Sequence, residues 1–218
     1  MKPLCLVVGA GPGIGRAVAQ AFAREGYDVA LAARHPARLA ESLRELEKLG
    51  VAARAYPVEA GDEASVGALF GAVRQDFGDP DVLVYNPAAH SPGKPTTLDG
   101  ERLAADFRVN VTGALLCAQQ AANAMKDRGR GTILLTGGGF AHEPAANYAS
   151  LSLGKAALRN LTYSLAQELG AYGIHVATVT VYGFVQSGTH YDPARIAEAY
   201  VRLHKQAPGH FQTELVFK

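Results

Sequence analysis

The chain has little cysteine, no excess of either charge and no long apolar run, and each absence removes a class of function. Two cysteines in 218 residues cannot build a disulfide framework. Cys5 and Cys117 also lack metal-ligand spacing and fall in a predicted strand and a predicted helix, so both are expected to be buried packing residues. With 21 basic and 20 acidic residues the formal charge is +1, and no basic stripe or charged tail stands out. Neither nucleic acid nor a membrane surface is therefore expected as a partner. No apolar run approaches the length of a membrane span. The N-terminus leads straight into the first predicted strand, so no signal segment is expected and the expected location is cytoplasmic. Repeats, low-complexity tracts and linkers are missing too, which leaves residues 1–218 as one expected domain.

What the chain does have is an ample supply of apolar residues, 48%, arranged in alternating patterns. Strand-length runs (LCLVVGA, DVALAAR, ARAYPVE, DVLVYN, GTILLTG, IHVATVTVYG) alternate with helical patterns. Helices are expected over about 13–25, 36–49, 62–78, 99–128 and 149–169, and a last helix from about Pro193 precedes a last strand. In the second helix Leu39, Leu43, Leu46 and Leu49 form one apolar face. Continuously apolar strands imply a sheet covered on both sides. The expected fold is α/β, a Rossmann-type doubly wound parallel sheet with ligands at the carboxyl ends of its strands.

The most informative stretch is LCLVVGAGPGIG followed by RAVAQAFAREG, which reads as strand, tight turn, helix. Within the turn, Gly9, Gly11, Gly13, Ile14 and Gly15 are candidate contacts to a nucleotide pyrophosphate. Glycine lets the backbone approach such a group, and the opening amides of the helix point at an anion. Glycines also pack a helix closely against a strand, and that reading stands beside the first. At the end of the second strand, Ala33 is followed by Arg34. A carboxylate there would accept from a ribose 2′-hydroxyl, whereas a guanidinium pairs with a 2′-phosphate, so NADP is expected over NAD unless Arg34 is simply a solvated surface residue.

Taken together, these segments resemble the short-chain dehydrogenase/reductase family over nearly the whole chain. GAGPGIG matches the family's Gly-x-x-x-Gly-x-Gly loop, with Val8 where threonine is frequent. NPAA at 86–89 is similar to the Asn-Asn-Ala-Gly turn after the fourth strand: Asn86 would steady the sheet edge, and the backbone of Pro87 and Ala88 would pass the adenosine ribose. Glu59 and Ala60 occupy the places that contact the adenine. Asn110, in NVTG, matches the helix asparagine that holds a water and positions the active-site lysine, although a locally bonded polar residue is an equal reading. YGFV at 182–185 stands for the Pro-Gly turn past the nicotinamide, which implies contacts from Gly183 and Val185, with Tyr182 in the proline's place. The resemblance also implies a homodimer or homotetramer built on the two long helices, and a small-molecule substrate.

The resemblance fails at proton transfer. LSLGKAAL keeps Lys155 but puts Leu151 where the family has its tyrosine, and leucine cannot donate a proton. The serine of the loop after the fifth strand aligns with Gly138. Tyr148, seven residues before Lys155, would lie about 10 Å along a helix, too far for direct coupling. Lys155 would still hold the ribose hydroxyls of a bound nicotinamide. Gly137, Gly138 and Gly139 would either expose amides to a substrate oxygen or make room for a bulkier ligand. Thr136, His142, Tyr182 and Ser187 are further polar candidates at the crevice mouth, and His204 has no partner that marks it. The segment near 184–192 is shorter than the family's substrate-covering insert, so an open crevice is expected. Three functions follow: an NADP(H)-dependent oxidoreductase with Asn110 and Lys155 as its retained catalytic groups, a catalytically silent NADP(H)-binding sensor or regulatory module, or a structural subunit that binds no nucleotide.

Overall fold

Alternating apolar runs and amphipathic segments build the predicted α/β order, described by a computed structural model over residues 2–218. The strands are β1 (Leu4–Val8), β2 (Asp28–Ala33), β3 (Ala53–Pro57), β4 (Val82–Tyr85), β5 (Gly131–Gly138), β6 (Ile174–Val181) and β7 (Glu214–Phe217). The helices are α1 (Ile14–Arg24), α2 (Ala40–Lys48), α3 (Glu63–Phe77), α4 (Gly100–Phe107), α5 (Gly113–Arg128), α6 (Ala149–Gly170) and α7 (Pro193–His204). All the strands pair in parallel, in the order β3-β2-β1-β4-β5-β6-β7. Strand order reverses between β1 and β4, where Val8 pairs with both Ala32 and Tyr85. A doubly wound sheet opens its ligand crevice at that point.

Alternation along each strand sends side chains to two cores. Leu4, Leu6 and Val8 pack on the layer that includes α3, α5 and α6, whereas Cys5 and Val7 pack on α1, α2 and α7. Cys117 lies in the first layer and Cys5 in the second, so the sheet separates the two thiols and both are fully buried, as expected. No helix among the described residues is long and apolar enough to cross a membrane.

Three expectations need correction. The helix expected over 99–128 is divided into α4 and α5 by a π-helical turn at Arg108–Thr112. Tyr85 donates from its hydroxyl to the Val109 carbonyl, and a Cβ at Gly113 would collide with the Ala60 carbonyl, so tertiary contacts re-space this turn. The segment 36–49 is a 3₁₀ turn (Pro36–Leu39) followed by α2, which ends before Leu49; Leu39 and Leu46 are buried, but Leu49 is 39% exposed. Finally, His204 does have partners: its Nε2 is 2.6 Å from the Tyr27 hydroxyl and its Nδ1 2.9 Å from Thr132 Oγ1, which ties α7 to the starts of β2 and β5.

Candidate active site

Beyond β1 the backbone reverses at Gly9, with φ +82°, a conformation that side chains rarely allow. A Cβ there would also lie 2.6 Å from the Pro87 nitrogen, and one at Gly15 would lie 2.7 Å from the Gly9 carbonyl oxygen. These two glycines are required by the packing of the turn itself. Asn86 locks the same junction, donating from Nδ2 to the Gly9 carbonyl at 2.9 Å and accepting at Oδ1 from Thr136 Oγ1 at 2.9 Å. It thereby ties together the ends of β1, β4 and β5. Gly11 and Gly13 differ, since a Cβ on either would meet nothing within 4 Å. Gly13 precedes α1, which has no side-chain cap and no acidic residue in its first turn. Unpaired amides and the positive end of the helix dipole are thus available to an anion. Ile14 packs toward the α1 core layer.

A cleft of about 710 Å³ opens beside this turn, a volume typical of cofactor sites. Gly9, Gly11, Arg34, Glu59, Ala60, Pro87 and Ala88 line it, each just past the carboxyl end of one of β1 to β4. Asn86 underlies this wall, and Gly13, Ile14 and Gly15 lie outside the lining. Arg34 is exposed and makes no ion pair among the described residues. His35 and Arg38, carried by the 3₁₀ turn, also line the cleft, and Arg38 is likewise without an ion pair among the described residues. Arg16 lines it too, but its charge is engaged: Nε donates to Glu45 at 2.8 Å and Nη2 to Glu41 at 3.2 Å. Sequence reasoning missed His35 and Arg38, although Pro36 after His35 carried the signal of a turn, which places both in the same cleft lining as Arg34.

At the far side of Asn86 lies Lys155. It is buried on α6, and its Nζ donates to the Thr136 main-chain carbonyl at 2.6 Å. Burial pushes the ammonium down to about 8. Leu151 stands one turn earlier on the same helix and is partly exposed. Gly138 ends β5 in an extended conformation, φ −163°, and a Cβ there would sit 3.4 Å from Lys155 Cγ. Gly137 and Gly139 are instead demanded by packing, against Thr178 and Tyr182.

Asn110 lies in the π-helical turn, 1% exposed. Its Oδ1 accepts from the Ala89 N–H at 2.8 Å and its Nδ2 donates to the Ala89 carbonyl at 2.9 Å. The side chain therefore clamps the loop after β4 and is not bonded to Lys155. Asp106, one turn earlier and overlooked in the sequence, lines the cleft and secures the next part of that loop by accepting from Ser91 N–H at 2.7 Å and from the Ser150 hydroxyl.

Gly183 and Val185 lie outside the cleft lining. Gly183 is glycine because a Cβ would enter the Tyr191 ring, and Val185 is 40% exposed. Of the other polar candidates, Thr136 is spent on Asn86 and Tyr200, and His142 is held by Glu214 at 2.9 Å. Ser187 is exposed on the loop after β6, and Tyr182 packs beside His142. Tyr148 immediately precedes α6 and stacks on Phe140. No His, Cys, Asp and Glu cluster suited to a metal occurs among the described residues.

Comparison with known proteins places this geometry in context. A family model described as short chain dehydrogenase matches residues 3–192. The 2,3-dihydro-2,3-dihydroxybenzoate dehydrogenase of Bacillus subtilis is 30% identical over 177 residues, covering 81% of this chain and 68% of that protein. Among solved structures, a metagenomic short-chain oxidoreductase in complex with NADP is 27% identical and superposes with a TM-score of 0.90, covering 98% of this chain and 96% of its own. An alcohol dehydrogenase from the archaeon Thermococcus sibiricus, complexed with 5-hydroxy-NADP, is 25% identical with a TM-score of 0.90, covering 99% and 96%.

Proposed function

The chain belongs to the short-chain dehydrogenase family, and on that premise we propose that it is an NADP(H)-dependent oxidoreductase acting on a small carbonyl or alcohol through a noncanonical site. The observation that carries the cofactor choice is Arg34, unpaired at the end of β2 and facing the same cleft as the glycine turn. With Arg38 it offers two guanidiniums to a 2′-phosphate, while no carboxylate at that strand end competes for a 2′-hydroxyl. The open space over Gly11 and Gly13 and the uncapped α1 terminus suit the pyrophosphate. Glu59 and Ala60 in the cleft lining would hold the adenine, and the backbone of Pro87 and Ala88 its ribose.

When bound, the nicotinamide supplies the hydride donor or acceptor. The chain's own residues do the rest. Asn86 and Asn110 hold the loop after β4 in place. Lys155 would hold the ribose hydroxyls by turning from the Thr136 carbonyl, and Gly183 and Val185 would hold the nicotinamide end. Leu151 and Gly138 leave the proton-transfer positions without an acid, so protons come from solvent.

Calorimetric titration tests the cofactor reading: NADPH binding at least tenfold tighter than NADH supports it, and equal affinities would discard the 2′-phosphate role of Arg34 and Arg38. A catalytically silent NADP(H)-binding sensor is the second reading, favoured by the burial of Lys155 against Thr136. NADPH-dependent turnover that disappears in Lys155→Ala at saturating NADPH would eliminate it. The proposed setting is cytoplasmic, with α4, α5 and α6 forming a homodimer or homotetramer; Leu153 and Tyr163 on α6 are exposed apolar residues available for that contact. Light scattering that returned a monomer would rule out the assembly.

A further inference from the structure

Four rings from four separate segments meet where the cleft ends. His90 follows β4 and lines the cleft; Phe140 follows β5; Tyr148 precedes the helix that carries Lys155; Phe184 follows β6. Tyr148 is the hub, stacked on Phe140 at 5.2 Å and 19°, tilted against His90 at 5.2 Å, and 6.4 Å from Phe184. Phe184 is 76% exposed, the most exposed large apolar side chain among the described residues. The Tyr148 hydroxyl has no hydrogen-bond partner among the described residues. All four follow or adjoin the ends of the strands flanking Gly138 and Lys155, on the side where the substrate of a doubly wound sheet sits.

From this wall and from the missing acid we propose that the preferred substrate is a planar quinone reduced to its hydroquinone, an inference that rests on the NADP(H) reading above. Hydride addition to an isolated ketone produces an alkoxide, whose conjugate acid is about as weak as water. Such a product needs an acid over the reacting carbonyl; Leu151 and Gly138, the positions that would carry it, have none, and Tyr148 is turned into the ring stack with Phe140. Hydride delivery to a quinone oxygen makes the ring aromatic and produces a phenolate whose conjugate acid is near 10, like that of tyrosine. That anion survives until solvent protonates it. In the balanced step, the quinone accepts a hydride, one proton with two electrons, from a reduced nicotinamide. One C–H bond of the dihydropyridine breaks as one quinone oxygen forms an O–H bond, and the carbonyl π pair passes through the ring to leave the opposite oxygen as phenolate. The oxidised nicotinamide remains, and the hydroquinone monoanion then takes one proton from water, leaving hydroxide. Flat rings suit the aromatic wall, because offset stacking adds to the burial of apolar area.

The test has a binding arm and a turnover arm. 1,4-Naphthoquinone is titrated calorimetrically into the full chain with no nicotinamide added, and into Phe184→Ala and Phe140→Ala. Both cysteines are buried, so quinone alkylation does not intrude. Binding should weaken about three- to tenfold in each variant, with an unchanged melting temperature for the exposed Phe184→Ala showing an intact fold. In turnover with NADPH, naphthoquinone should exceed acetophenone by about 10²-fold or more in kcat/KM, and Leu151→Tyr should shift that ratio toward the ketone by at least about tenfold. If NADPH binds but the ketone is reduced as well as the quinone, or quinone binding ignores both phenylalanines, the quinone assignment is overturned while the cofactor reading stands. If NADPH does not bind, both fall.

Discussion

Lys155 Nζ donates to the main-chain carbonyl of Thr136 at 2.6 Å, buried beneath Gly138 and one helical turn past Leu151. An ammonium in this position has a carbonyl dipole for company and no carboxylate bonded to it. Burial therefore costs it more than its single hydrogen bond returns, and its proton is held less tightly than in water.

That cost is measurable. The folded value of about 8 lies below the unfolded 10.5, so between these limits the unfolded chain holds a proton that the folded chain has released. Stability should rise with pH from 8 to 10.5, and the cost is present in full below 8. Lys155→Met should stabilise the fold at pH 7 by up to about 3 kcal/mol and flatten that rise. Urea unfolding across pH 6–11 reads both effects; a variant no more stable than wild type at pH 7 would show that Thr136 compensates the buried charge.

Arg34→Ala should weaken NADPH binding by roughly 10- to 100-fold, the worth of a charge-assisted hydrogen bond, and leave NADH binding within about twofold. Arg38→Ala should give a smaller loss in the same direction. Titration calorimetry with both nucleotides distinguishes this from general damage, which would weaken both alike.

On the proposed reading, an acid placed at Gly138 and Leu151 should raise ketone chemistry. A hydroxyl fits at Gly138, where the backbone is extended and a Cβ would only touch the Lys155 stem at 3.4 Å. Gly138→Ser combined with Leu151→Tyr should raise NADPH-dependent ketone reduction by about 10²-fold or more, in the range that general acid catalysis contributes. Steady-state rates that do not move would mean that the substrate no longer sits over these positions.

Gly113→Ala should destabilise the protein by about 1–3 kcal/mol, because the added Cβ would meet the Ala60 carbonyl and Tyr85 hydroxyl, and backbone cannot move aside as a side-chain tip can. Gly67→Ala, where nothing lies within 4 Å of the added carbon, is the matched control and should be neutral or slightly stabilising. Comparing urea midpoints of the two variants decides it.

Glu214 on β7 should govern acid stability. Burial pushes its carboxyl up, but hydrogen bonds from Arg159, Thr180, His142 and Tyr163 outweigh that and hold it at about 2, below the ordinary 4.5. The stabilisation is therefore complete above 4.5 and is lost as pH falls toward 2. Glu214→Gln should lower the melting temperature by roughly 5 °C at pH 7, and the gap from wild type should close over that acid interval. A gap independent of pH would assign the effect to packing.

Local patterns made much of this legible. Continuous apolar runs disclosed the strands and their two-sided burial, and the glycines from Gly9 to Gly15 disclosed the tight turn that follows the first of them. The place of Arg34 just past β2, in the cleft lining, was readable because the apolar run before it marks the strand's end. The break at Arg108–Thr112 was not readable, since its cause is Tyr85 and Ala60, far away in the chain. Similarly, that a Cβ at Gly183 would enter the Tyr191 ring was not readable, since Tyr191 comes from the loop before α7.

What the sequence determined by itself was the chemistry available and the order of elements: which residues exist at each strand end, and that Leu151 precedes Lys155 by one turn. Tertiary structure decided how those residues are spent. It turned Lys155 to Thr136, committed Asn110 to Ala89, and gathered His90, Phe140, Tyr148 and Phe184 into one wall. Periodicity along a chain reports which face a residue presents. The partner waiting on that face comes from another strand or helix, and only the packed sheet brings it there.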